Sequence, residues 1–154
     1  MAEEKRINLK AQKFEKYTQD HQLNFFNKVD VKNDKGERDA AETTVFQSNI
    51  RVEGQTIPVG IITDNTIYTI IRVQVGSGLV KESNKNKFLE YLNTLNRSYK
   101  VFKYVAAEDG SVFLDACLPS TNDSFDPEVV KVVLDVIVDH LNHEYKNIMK
   151  EAWK

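Results

Sequence analysis

The most constraining feature of the chain is a change of hydrophobic period inside one stretch, Phe88 to Ser120. Phe88, Leu92, Leu95 and Tyr99 recur at helical spacing and share one face. From Lys100 the period drops from about 3.6 to 2. Val101, Lys103 and Val105 then alternate with Phe102, Tyr104 and Ala106. Glu108-Asp109-Gly110 supplies a turn, and Ser111 to Leu118 returns as a second strand. A helix feeding an antiparallel hairpin asks for a sheet with helices packed against it.

The rest of the chain extends that pattern. A helix is predicted from Asn8 to His21, anchored by Phe14 and Tyr17 with Ala11 and Thr18 beside them. Leu23 to Val31 alternates as a strand. The polar segment Asn33 to Glu42 reads as a mobile loop. Phe46, Ser48, Ile50 and Val52 fall on one face of a strand that starts near Thr43, and Glu53-Gly54-Gln55 turns the chain. Ile57, Val59 and Ile61 face one way on the next strand. Asp64-Asn65 turns again, with Asn able to take positive φ. Ile67, Thr69, Ile71, Val73 and Val75 then alternate with Tyr68, Ile70, Arg72 and Gln74, and the face with Arg72 and Gln74 is the wetter one. Short turns between consecutive strands require antiparallel neighbours.

The last segment is rich in valine and suits a strand by propensity. Two signals decide for a helix. Asp126-Pro127-Glu128 is a helix start, with Asp as N-cap and Pro at the first helical position. Glu128, Lys131, Asp135, Asp139, Asn142, Lys146 and Lys150 then recur at steps of three and four. The predicted order is α-β-β-β-β-α-β-β-α: an α+β domain with an antiparallel sheet of five to six strands and its helices on one side. At 154 residues the chain reads as a single domain over 1–154, with residues 1–7 frayed. A domain of this size buries roughly 70% of its unfolded surface and needs no disulfide or metal to fold.

Composition narrows the function classes. Net charge is −2 without segregation of sign, which excludes the basic face of a typical nucleic-acid binder. Cys117 is the only cysteine, so no internal disulfide forms and a reducing compartment is expected. The first ten residues lack the apolar core of a signal peptide, and no stretch approaches the ~20 apolar residues of a membrane span. A cytoplasmic protein is expected, without membrane or nucleic-acid partners.

Tyr91-Leu92-Asn93-Thr94-Leu95-Asn96 ending a helix, the aromatic strand, the Asp-Gly turn and a strand closing on Leu118-Pro119 together resemble the YbjN-like family. Leu23 to Asn27 (LNFFN) and Asp64-Asn65-Thr66-Ile67 add to the likeness. The family is similar in fold to the type III secretion chaperones. The resemblance implies a chaperone-like α+β fold, often dimeric, with a role in regulation or protein binding. It implies no catalytic residue at any position here.

Candidate chemistry is sparse. Cys117 reads as a packed, inert thiol between Ala116 and Leu118. Asp115 lies in the same apolar strand and reads as a sheet edge facing water. His140, His143 and Glu144 form an H-x-x-H-E run, which lacks the HExxH order of a zinc helix and reads as solvated or interfacial histidines. Gly76-Ser77-Gly78 has no phosphate-loop lysine and reads as a connector. No catalytic, cofactor or metal residue is assigned. A homodimer is expected, with Val129, Val132, Val133, Val136 and His140 at its interface. The four valines carry apolar surface beyond the stripe of Val130, Leu134, Ile137, Leu141, Tyr145, Ile148 and Ala152 that docks the helix; the alternative cover for them is the first helix of the same chain. The leading expectation is a non-enzymatic protein-binding or regulatory protein that captures a protein or peptide segment on a sheet surface, a free edge or beside the dimer interface. The alternatives are a small metal- or carboxylate-dependent enzyme using Asp115 with His140 and His143, and a structural subunit of a larger assembly.

Overall fold

A computed structural model describes residues 7–154. Nearly all of the terminus expected to fray lies outside the described residues; Ile7, its last residue, is exposed. The elements follow the predicted order: α1 (Leu9–Asp20), β1 (Asn27–Asp30), β2 (Thr44–Val52), β3 (Gln55–Thr63), β4 (Tyr68–Gly76), α2 (Lys85–Ser98), β5 (Lys103–Ala106), β6 (Val112–Pro119) and α3 (Pro127–Ala152). The six strands form one sheet in the order β1-β2-β3-β4-β6-β5, antiparallel throughout.

The period-2 pattern sorts the sheet into two faces. Register aligns Phe46, Ile61, Ile71 and Ala116 across β2, β3, β4 and β6, and Val73 with Leu114 and Tyr104. All of these are buried. They join Ala11 and Phe14 of α1, Phe88, Leu92 and Leu95 of α2, and Val130, Leu134, Ile137, Leu141, Ile148 and Ala152 of α3 in a single core. The three helices therefore cover one face, and the opposite face has no helix over it.

Local chemistry fixes the ends of the elements. The Asp126 carboxylate accepts from the Glu128 N–H at 3.0 Å, with Pro127 at the first helical position. Alone, such a cap contributes about 1 kcal/mol; the buried stripe of α3 supplies most of the rest. Glu53 and Gly54 both have positive φ, 49° and 76°, so β2 and β3 join through a primed two-residue turn that matches the twist of the strands. Asn8 caps α1 by accepting from the Ala11 N–H, and its amide donates to the Glu42 carbonyl and to Thr63 Oγ1. That one side chain ties the helix start to the sheet.

Three local expectations change. The first strand shrinks from 23–31 to Asn27–Asp30, because Gln22, at φ 56°, redirects the chain after α1 and the half-buried Phe26 packs against the core with its ring 5.4 Å from that of Phe14. Asn65 does not take positive φ; the Asp64 side chain accepts from the Thr66 N–H instead and closes the turn without it. The polar segment 33–42 carries structure of its own. Asn33 Oδ1 accepts from the Lys35 and Glu37 N–H groups, Arg38 pairs with Asp30 at 2.6 Å, and Asp39 accepts from the Thr43 N–H.

Candidate functional site

The helix-free face of the sheet is the surface that needs explaining. Read across the strands by register, its upper row is Val29, Val45, Ile62, Ile70 and Cys117. The next row is Asn27, Gln47, Gly60, Arg72, Asp115 and Lys103. Beyond it, on the side away from the aliphatic row, lie the pair Asn49 and Pro58 and the aligned Gln74, Phe113 and Val105. An antiparallel sheet with one solvated face ordinarily reads polar there. Here aliphatic side chains cross four strands in one row, and Cys117 continues it on a fifth.

A groove of about 600 Å³ runs over the middle of this face. That volume falls within the roughly 300–1,000 Å³ of ligand clefts. Gly60 is its floor, because a residue without a side chain leaves a dip in the pleat. A Cβ at Gly60 would stand 3.2 Å from Val45 Cγ1, so even alanine would push on the wall. Phe25, 53% exposed, stands at the β1 end, and Phe113 lines the β6 side. Asn27, Gln47 and Asn49 spend no side-chain hydrogen bond within the described protein, so their donors and acceptors face outward.

The charge in the groove wall is neutralised in place. Arg72 Nε and Nη2 donate to the two Asp115 oxygens at 3.0 and 2.8 Å, a bidentate pair, and the guanidinium lies 5.2 Å from the centre of the Phe113 ring. Asp115 is therefore not on a sheet edge as expected: β6 lies between β4 and β5, and the carboxylate faces outward beside its arginine. Cys117 also departs from expectation. It is exposed on this face, not packed, because its position in β6 has the opposite parity to buried Ala116. The β5 edge is closed by a side chain. Asn96 Oδ1 accepts from the Tyr104 N–H at 2.6 Å and Asn96 Nδ2 donates to the Tyr104 carbonyl at 3.1 Å, as a neighbouring strand would. Strand addition at that edge is blocked at Tyr104.

The residues expected at a dimer interface on α3 divide. Val129, Val132 and Val136 are exposed at 48, 51 and 45%. Val133 and His140 are buried within the chain, a correction to both. His140 lies among the rings of Tyr99, Phe102 and Tyr104, with Nε2 2.6 Å from the Tyr104 hydroxyl. Burial pushes its pKa below the usual histidine value. His143 is exposed and its Nδ1–H donates to the Asp139 carbonyl, while Glu144 accepts from the Tyr91 hydroxyl at 2.8 Å. The three members of the H-x-x-H-E run thus have three separate partners. The sheet also stands between Asp115 on the open face and the histidines of α3, so the structure does not bring these residues into one site. Among the described residues no group of three His, Cys, Asp or Glu is placed to hold a metal, and no helix is long and apolar enough to cross a membrane.

The pattern reading missed Gly60, Phe25 and Lys10. A glycine inside an apolar strand signals close approach or a gap, and that cue was available for Gly60. Nothing in the pattern marks Lys10 as buried. No family model and no curated protein matches the chain.

Proposed function

We propose that this chain is a non-enzymatic protein-binding or regulatory protein, and that its working surface is the helix-free face of the sheet. One observation carries the reading: a half-buried aliphatic row and a glycine-floored groove with aromatic walls lie on a face that no described element covers. A protein surface suits it better than a small reactive substrate. The groove's ionisable pair is closed on itself, and its free polar groups are amides, which pair with backbone but do not move protons at neutral pH. A dimeric state and a cytoplasmic location belong to the same proposal. An exposed, unpaired Cys117 suits a reducing compartment.

The test is capture from source lysate on immobilised wild type, Ile62→Glu and Val132→Asp/Val136→Asp, each first shown to be folded by circular dichroism. A protein retained by wild type and by the α3 variant, but released by Ile62→Glu, supports the open face. Equal retention by Ile62→Glu refutes it. Turnover that follows Asp115→Asn in a substrate screen would revive the enzyme reading.

A further inference from the structure

We propose that a second copy of this chain covers the open face, sheet against sheet about a two-fold axis. The inference rests on the reading of that face as a docking surface, and names its occupant.

Area favours it. Five inter-strand spacings of about 4.8 Å and central strands of about 30 Å give a face of roughly 700 Å². A standard stable interface buries about 800 Å² per partner. The competing surface on α3 is much smaller. Val129, Val132 and Val136 are seven residues apart end to end, about 10 Å of helix axis. Val133 and His140, which would have widened it, are in the core.

Chemistry favours it too. An isologous interface must complement itself. The centre of the open face does so, since Arg72 and Asp115 cancel within one copy. The Lys103 ammonium is turned away, donating to the Asn96 and Tyr99 carbonyls at the end of α2. Two copies therefore meet without like charges opposed at the centre. Asn27, Gln47 and Asn49 each donate and accept, so the same row pairs with its own image. The row of Val29, Val45, Ile62 and Ile70 supplies the apolar layer between sheets packed about 10 Å apart. The half-exposed Phe25 at the groove's rim is the side chain that can enter the partner's groove.

The experiment is light scattering after gel filtration, from submicromolar to high micromolar protein, on wild type, Ile62→Glu, the milder Gln47→Glu, and Val132→Asp/Val136→Asp. Maleimide labelling of Cys117 runs alongside. Expected are a wild-type mass of about twice 17.7 kDa at high concentration, folded monomers for the two open-face variants, an unchanged dimer for the α3 variant, and Cys117 labelling that slows several-fold as the dimer forms. If Ile62→Glu fails to fold, Gln47→Glu decides. A wild-type monomer throughout the range, a dimer that persists in both open-face variants, or a dimer broken only by the α3 variant overturns the inference. A wild-type monomer that still captures a protein through Ile62 removes the second copy and leaves the docking face.

Discussion

Lys10 tests how this domain fastens its first helix. Its side chain has no solvent exposure. The ammonium donates to the Tyr68 carbonyl at 2.5 Å and to Thr69 Oγ1 at 3.0 Å, and Asp64 lies 3.8 Å away. Burial pulls its pKa down, and the Asp64 carboxylate opposes that shift. A buried charge survives only when it is well paired. Lys10→Met keeps the stem and removes the charge. Hydrogen bonds from charged donors contribute about 1.5–3 kcal/mol each, so two give roughly 3–6. The Tyr68 carbonyl sits near the surface and can be rehydrated, which returns part of this. The expected cost is about 2–4 kcal/mol, a large share of the 5–15 kcal/mol of a typical domain. Lys10→Ala also removes stem methylenes at about 0.8 kcal/mol each and so costs about 2 kcal/mol more. Urea denaturation followed by circular dichroism reads both, with the slope unchanged. A Met variant as stable as wild type would refute the reasoning. It would mean that desolvating the ammonium cancels its bonds, as it does for many buried ion pairs.

Three further outcomes follow from particular contacts. Cys117, exposed on β6, should react with maleimide in dilute native protein nearly as fast as in denaturant; slow native labelling at submicromolar concentration would contradict its placement. Asn96→Ala should cost about 1–2 kcal/mol in urea denaturation by stripping both edge partners from Tyr104; a variant as stable as wild type would show that water replaces both. His140 is held below its usual pKa by burial, against the raising effect of Glu144, with His143 lowering it and Asp139 raising it. The unfolded chain therefore binds this proton more tightly. The contribution is complete above about pH 6.5 and is lost as pH falls from there through the folded pKa. The urea midpoint of wild type should drop between about pH 7.5 and 5.5, and by less in His140→Gln; an equal drop in both would assign the effect to other groups.

The element order was legible because each segment's period was unambiguous once its ends were marked. Asp126-Pro127 overrode the strand propensity of the valines, and the steps of three and four among the charges located the wet side of α3. What escaped was set by tertiary geometry. Val133 and His140 sit on the flank of α3 that the period alone left open, and neighbouring elements bury them: His140 lies under Tyr99, Phe102 and Tyr104. The apolar neighbours of Cys117 suggest a packed thiol, yet parity against Ala116 turns it outward. Nothing in the local sequence marks Lys10 as buried; three partners distant in sequence, Tyr68, Thr69 and Asp64, hold it there.

The same parity hides the open face of the sheet in the sequence. Ile62 and Ile70 alternate with Ile61 and Ile71, so apolar residues occupy both faces of the central strands. In a strand covered on both sides that pattern is ordinary. Pattern alone cannot distinguish a sheet buried on both faces from one that is half bare, because the missing layer leaves no mark on the strand. All three described helices go to one side, so among the described residues nothing covers the aliphatic row on the other side. Burying one such side chain is worth about 1.5–3 kcal/mol. Four of them, each only partly exposed, together forgo roughly 1–3 kcal/mol that a covering layer would recover.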